Sequence, residues 1–536
     1  MKFYLTTLLI FNSFLFAQNN QFTSKVWVAD NGDGTYKNPI IHADYSDPDV
    51  VRVGSDYYMI SSSFNQSPGI PILHSTDLVN WKLIGHALQK LVPENHFSKV
   101  QHGGGVWAPS IRFHKGEFYI YYPDPDFGIY LIKSKNILGP WSEPFLVETG
   151  KGLIDPCPLW DDDGRVYLVH AFAGSRAGFK SIIVVKEMNK AGTKTIDAGV
   201  MVYDGHQNDP TIEGPKFHKR NGYYYIFAPA GGVSTGWQIV LRSKNVYGTY
   251  DRKIVMNQGS STINGPHQGA WINTTSGEDW FIHFQDKNAY GRVIHLQPMR
   301  WKNDWPIIGI DNNNDAIGEP VLVYKKPNII SETKEFTPQE SDEFNAPKLG
   351  LQWQWQANTQ SGWAFPTSNG CLRMFSVYNS DSINNLWNLP NILTQKLPAE
   401  AFTATAKVNF SPKFNNEIFG LVMFGLDYAY VAIEKRENGL FFCYRENFNA
   451  DKNKKEVEID THLISGHTFY LQIKMLKDGI CYFGCGENEN NIIQVSKSFT
   501  AKQGKWVGAK LGMFCNRKNI TNDAGYVDVD WFKIEK

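Results

Sequence analysis

The sequence predicts an all-β protein, a five-bladed β-propeller over residues 30–325 followed by a β-sandwich over residues 335–536. Two observations predict this. A unit of short strands recurs five times, its aromatic doublets spaced 61, 48, 58 and 56 residues apart. That period, filled with β-branched and aromatic runs, fits antiparallel blades closed in a ring better than an open stack of hairpins. The C-terminal third then alternates with a period of two and carries no helical stretch, as the strands of a sandwich do.

The elements follow in chain order. The doublets are Tyr57-Tyr58, Phe118-Tyr119, Val166-Tyr167, Tyr224-Tyr225 and Trp280-Phe281. Each is followed by a second strand, such as Pro71–Ser75, Ile129–Ser134 or Gln238–Ser243, and often by a turn near Trp or Tyr. Residues 311–340 turn rich in Asn, Lys and Pro, with Lys325-Lys326-Pro327, and read as a linker. Sandwich strands are expected at Phe402–Val408, Tyr428–Ile433, Phe469–Lys474 and Tyr526–Ile534.

A chain of 536 residues is too long for one ordinary core, so two domains are expected on size alone. Lys plus Arg equals Asp plus Glu at 53 each, which leaves no electrostatic footprint for nucleic acid or an anionic membrane. A charge-balanced chain with 14% aromatics suits a neutral ligand, carbohydrate above all. Lys2, the apolar run Leu5–Phe11 and Phe14–Ala17 read as a signal peptide over residues 1–17. That run is too short and too interrupted to span a bilayer, and no Cys precedes Cys157, so neither a membrane anchor nor a lipid-modified cysteine is expected. The expectation is an exported protein, periplasmic or secreted. The six cysteines, at 157, 371, 443, 481, 485 and 515, lack zinc-ligand spacing and read as buried thiols, with one disulfide at most in the C-terminal domain.

Three acidic motifs stand at the same relative place in the repeat: Ser46-Asp47-Pro48-Asp49, Ile154-Asp155-Pro156-Cys157 and Ile212-Glu213-Gly214-Pro215. A ring of blades would bring them to one axial point. Direct displacement at a glycosidic bond needs one protonated carboxyl to assist the leaving oxygen and one carboxylate to take a proton from water. A third acid nearby keeps the proton on the first by like-charge repulsion. A single Asp-Pro is more often a turn, but three in phase point to a site. His267 occupies the corresponding place in the fifth repeat, where it would orient an acid or hold the water of a bound cation. Arg292 would stand beside the basic carboxylate or a sugar hydroxyl, Trp107 would stack on a sugar face, and Phe64 would form pocket wall.

These segments resemble glycoside hydrolase family 43. The resemblance rests on Asn38–Ile40 with Ser46–Asp49, on Val106–Arg112, Ile154–Pro156, Ile212–Lys216 and Gly291-Arg292. The tail, with Ser341–Phe344, Gln352–Trp355 and Asp528–Phe532, is similar to the concanavalin-like jelly roll of that family's β-xylosidase-type members. The resemblance implies Asp47 as general base, Asp155 as pKa modulator and orienting acid, and Glu213 as general acid. It implies Arg292 as a substrate-binding residue and His267 as companion of an axial calcium held largely through water. No cofactor would be required, although calcium on the axis, or in the sandwich at Asp342, Glu343 and Asp530, is compatible with it. The implied activity is exo-acting, inverting release of a terminal pentose from an oligosaccharide or polysaccharide, with β-D-xylosidase ahead of α-L-arabinofuranosidase. A non-catalytic carbohydrate-binding propeller is the alternative from another class. A fructan-cleaving propeller fits poorly, because its acid stands in a Glu-Cys context rather than Glu213-Gly214. A lid from the sandwich is expected from Trp363 and Phe365, and Cys157 departs from the small Ser or Ala expected there.

Overall fold

Second strands of the blades are apolar almost throughout, because a neighbouring blade covers each of their faces. In Val166–Phe172 and Glu117–Asp124 nearly every residue is buried. Fourth strands lie at the rim and are the more exposed, as in Val200–Asp204, where no residue is buried. The computed structural model describes residues 22–329, 335–380 and 383–536; the segment read as a signal peptide lies outside them.

Five four-stranded meanders follow one another along the chain. Their first strands are Asp49–Val53, Ser110–His114, Leu153–Trp160, Lys216–Arg220 and His267–Asn273. Successive first strands of blades I, II, III and IV touch, and that of blade V returns to blade I, so the ring closes. The first strands therefore surround the axis. Closure uses a segment that the sequence reading placed in a linker. Val323–Lys325 pairs antiparallel with Thr35–Lys37. Asn38 then donates its side-chain amide to the Leu296 and Val321 carbonyls and accepts from the Leu296 N–H. The short Asn- and Lys-rich stretch looked irregular because a three-residue strand carries too little alternation to be read.

The C-terminal domain is a pair of eight-stranded sheets packed face to face. One includes Phe402–Ser411, Thr468–Met475 and Tyr526–Glu535; the other includes Ile418–Phe424, Tyr428–Arg436 and Lys510–Arg517. Alternation is clean in Phe402–Ser411, whose Phe402, Ala404, Ala406, Val408 and Phe410 face the core. All six cysteines are free thiols, five of them buried. Among the described residues no helix is long and apolar enough to cross a membrane.

Backbone contacts dock the two domains. Ser67 and Trp355 exchange two main-chain hydrogen bonds, at 2.7 and 3.1 Å. Asn65 donates to the Gln356 carbonyl, and Asn358 bonds both main-chain groups of Leu91. A second seam runs along the axial face. Gly508 N donates to Asp44 Oδ2 at 2.9 Å, and Ala509 N donates to the Ala289 carbonyl at 2.7 Å. The chains approach so closely there that a Cβ on Gly508 would stand 2.7 Å from Gly291 N. Only glycine fits.

Candidate active site

Asp47, Phe64, Trp107, Asp155, Glu213 and Arg292 line one cavity of about 450 Å³ at the end of the propeller axis. The acids arrive there because Asp47 and Glu213 sit just before the first strands of their blades and Asp155 sits at a bulge near the start of Leu153–Trp160. Asp47 and Asp155 hold left-handed backbone, φ 55° and 57°, directly ahead of a proline. Asp tolerates this region better than most residues, and the bend turns its side chain out of the ladder toward the axis. In blade IV the left-handed residue before proline is Gly214, φ 58°. Strand pairing agrees, since Val51 faces Tyr58, Leu159 faces Tyr167 and His218 faces Tyr225. Asp47, Asp155 and Gly214 each precede those strand residues by four positions. Glu213 is thus one residue upstream of the strict phase, and its longer side chain makes up the difference. A Cβ on Gly214 would stand 2.8 Å from Gln268 Cγ, so the acid could not occupy that position.

Each acid has distinct partners. Asp47 accepts from Ser46 Oγ at 2.7 Å, Ser62 Oγ at 2.5 Å and Arg292 Nη1 at 3.2 Å. Those donors fix the orientation of the carboxylate. Arg292 is itself fixed: its N–H donates to Asp44, its guanidinium also reaches Ser46 Oγ, and it lies 4.9 Å from the Phe284 ring. Asp155 is buried and accepts from Gly214 N at 2.7 Å. Burial first, then the negative charges of Glu213 and Asp47, push its carboxyl up to about 8 against the pull of Gly214 N and Lys216. One proton therefore stays among the acids at neutral pH. Glu213 is the most exposed of the three, and its Oε1 lies 3.0 Å from His267 Nε2.

His267, read from the sequence as a substrate-binding residue or one that orients an acid, meets Glu213 but does not line the pocket. It is buried behind Glu213, and Gln268 takes the wall position. A bulge at Gln268, φ 34°, turns the imidazole inward. Cys157 has a role the sequence did not reveal: its Sγ accepts from Arg112 Nη2 at 2.7 Å and Phe217 N at 3.2 Å. Arg112 also binds Asp49, and buried Lys216 donates to the Pro109 carbonyl, so a polar network supports the floor of the site.

The expected lid residues lie elsewhere. Trp363 is buried in the sandwich core 5.1 Å from Trp355, and Phe365 is exposed on Ala364–Pro366 against Phe375. The sandwich instead contributes Trp506, on the loop that Gly508 docks, with left-handed backbone of φ 65°. Its ring meets Trp107 edge-on at 6.2 Å, while Arg176 covers Trp107 at 5.3 Å. A strained Trp held over a cleft by a glycine seam is a designed feature of the pocket. The cue lay in Gly504-Lys505-Trp506-Val507-Gly508, an indole bracketed by glycines. Phe172, Lys180, Thr211 and Val233 complete the wall and were also missed.

Geometry of this kind, three carboxyls from three blades in an aromatic-walled axial pocket, defines a glycosidase of the propeller class. The comparisons agree. The glycosyl hydrolases family 43 profile matches residues 36–306, and the β-xylosidase C-terminal concanavalin A-like domain matches residues 341–535. The chain belongs to glycoside hydrolase family 43. A β-xylosidase of Formosa agariphila is 34% identical over 94% of this chain and 91% of its own length. A non-reducing end α-L-arabinofuranosidase of Bacteroides ovatus is 32% identical over 73% of each. The crystal structure of a xylan β-1,4-xylosidase from Bacillus halodurans shares the fold, with a TM-score of 0.82 over 93% of this chain and all of its own, at 24% identity.

Burial and the mutual repulsion of Asp155, Glu213 and Asp47 hold one proton among the three acids, so Asp155→Asn, which takes one carboxyl out of the cluster, should move the basic limb of kcat/KM to lower pH. With one carboxyl fewer, the form that has lost the shared proton carries less repulsion, so that proton leaves more easily. A pH–rate profile of the two proteins checks this. An unmoved limb would leave Asp155 with a positioning role alone.

Proposed function

We propose that this protein is an exo-acting, inverting β-D-xylosidase that removes terminal xylose from xylose-containing oligosaccharides or polysaccharides. The convergence of Asp47, Asp155 and Glu213 in one pocket with Trp506 closing one side carries the reading. Asp47, oriented by Arg292 and two serines, takes the proton of the attacking water. Glu213, the acid open to solvent and paired with His267, gives a proton to the leaving oxygen. Asp155 between them holds charge balance. A pocket walled by Trp506 on one side admits a chain end rather than a chain middle, which supports exo-action.

The β-xylosidase among the relatives, aligned over nearly the whole chain, favours xylose. The arabinofuranosidase among them supports α-L-arabinofuranoside cleavage as the second reading, since both sugars are pentoses with overlapping hydroxyl patterns. Initial rates on 4-nitrophenyl β-D-xyloside and α-L-arabinofuranoside decide between them. A clear preference for xyloside is expected; preference for arabinofuranoside would recast the protein as a debranching enzyme, and silence on both would favour a binding propeller.

Calcium fits only one of the two places the resemblance implies. Among the described residues His267 Nδ1 is buried without a hydrogen-bond partner, and a cation held through water on the axis fits that single nitrogen. Such a cation would supply positive charge beside the Glu213–His267 pair. In the sandwich Asp342 accepts from the Trp353 indole, Glu343 faces Lys533 and Asp530 faces Lys407. Those acids serve three different partners and do not form a cation cage. The apolar N-terminal run supports export to the periplasm or beyond.

A further inference from the structure

We propose that a second pocket, adjoining the active pocket at Trp506, is a subsite for a neutral sugar substituent carried by the terminal pentose of the substrate. The proposal rests on the hydrolase reading above. This pocket has a volume of about 270 Å³ and lies between the loops of blades IV and V and the sandwich loop. It shares Val233, Arg292 and Trp506 with the active pocket, so the two cavities are neighbours across one indole.

Its polar lining is unspent. The side chains of Ser234, Asn288, Gln503 and Lys505 make no hydrogen bond to protein among the described residues. The Asp286 carboxylate takes one, from Asn288 N at 3.1 Å. Donors and acceptors therefore both point at one volume, which is what the hydroxyls of a sugar require. Asp286 offsets the charge of Lys505, and Arg292 is already paired with Asp47, so the lining carries no surplus charge for an acidic group. Trp506, over whose ring Lys505 Nζ lies at 5.2 Å, brings an indole to the same volume.

Position decides which sugar enters. The second pocket borders Arg292, the partner of Asp47, and includes none of Glu213, Thr211 or Lys180. In direct displacement the base and the acid flank opposite faces of the sugar, and the leaving group departs on the acid side. A unit in the second pocket accordingly hangs from the pentose being released, not from the chain left behind. An α-L-arabinofuranosyl group on a terminal xylose has that placement.

The test compares kcat/KM on 4-nitrophenyl β-D-xyloside, plain xylotriose, and xylotriose bearing one arabinofuranosyl group on its non-reducing terminal xylose, with the released sugar identified. Wild-type protein should cut the substituted trisaccharide within tenfold of the plain one and release the arabinosyl-xylose disaccharide. Ser234→Trp, which fills the pocket, should lose at least tenfold on the substituted substrate alone, and Gln503→Ala should lose less, also on that substrate alone. Failure of the wild-type protein on the substituted substrate, release of free arabinose, or a Ser234→Trp variant that treats all three substrates alike would overturn the subsite. Inactivity on both plain xylosides would instead remove the reading beneath it, and the subsite with it.

Discussion

Asp47→Asn should reduce hydrolysis by about a hundredfold to ten-thousandfold, the range general-base catalysis supplies, with the fold intact. The amide is the same size as the carboxylate, and its one oxygen, placed at the Oδ2 position, can still accept from Ser62 Oγ and from Arg292 Nη1. It cannot take a proton from water. Loss of turnover with an unchanged circular dichroism spectrum and retained binding of xylo-oligosaccharide would identify the lost step as chemical. A variant that turns over normally would remove Asp47 from the reaction. Arg292 beside it makes the argument stricter, because Ser46, Ser62 and the guanidinium all converge on this carboxylate.

Glu213→Gln is expected to act unequally on different leaving groups. A sugar hydroxyl is a poor leaving group and needs the full proton, so xylobiose cleavage should fall about a hundredfold or more. Nitrophenolate departs with little help, so the aryl xyloside should lose far less. The separation between the two substrates, read as a ratio of kcat/KM, is the signature of a general acid. Equal losses on both would make Glu213 a binding residue. The glutamine should keep a hydrogen bond to His267 Nε2, so folding is not expected to confound the result.

Much of this site is legible in the sequence because the repeats are in phase. Aromatic doublets at a near-constant period mark the second strands, and motifs eleven or twelve residues ahead of them mark the axis. That logic brings Asp47, Asp155 and Glu213 together across more than 160 residues of chain. It does not reveal that Gly214 holds the strict phase and Glu213 stands one position upstream, since backbone sign is invisible in a motif. Nor does it rank His267 against Gln268, because a bulge exchanges which of the two faces the pocket.

Trp506 was illegible for a different reason. Its place depends on Gly508 meeting Gly291 and Asp44 in another domain, a contact of long sequence separation with no periodic signature. The expected lid aromatics lie elsewhere, Trp363 in the sandwich core and Phe365 exposed on Ala364–Pro366. The short strand Val323–Lys325 escaped for want of length.

The account turns on single displacement by water activated at Asp47. The most direct measurement is the anomeric form of the xylose first released from a β-xyloside, followed by proton NMR before mutarotation. The account predicts α-xylose appearing first, with β-xylose growing in later. β-Xylose as the first product would mean a covalent intermediate, and would contradict it.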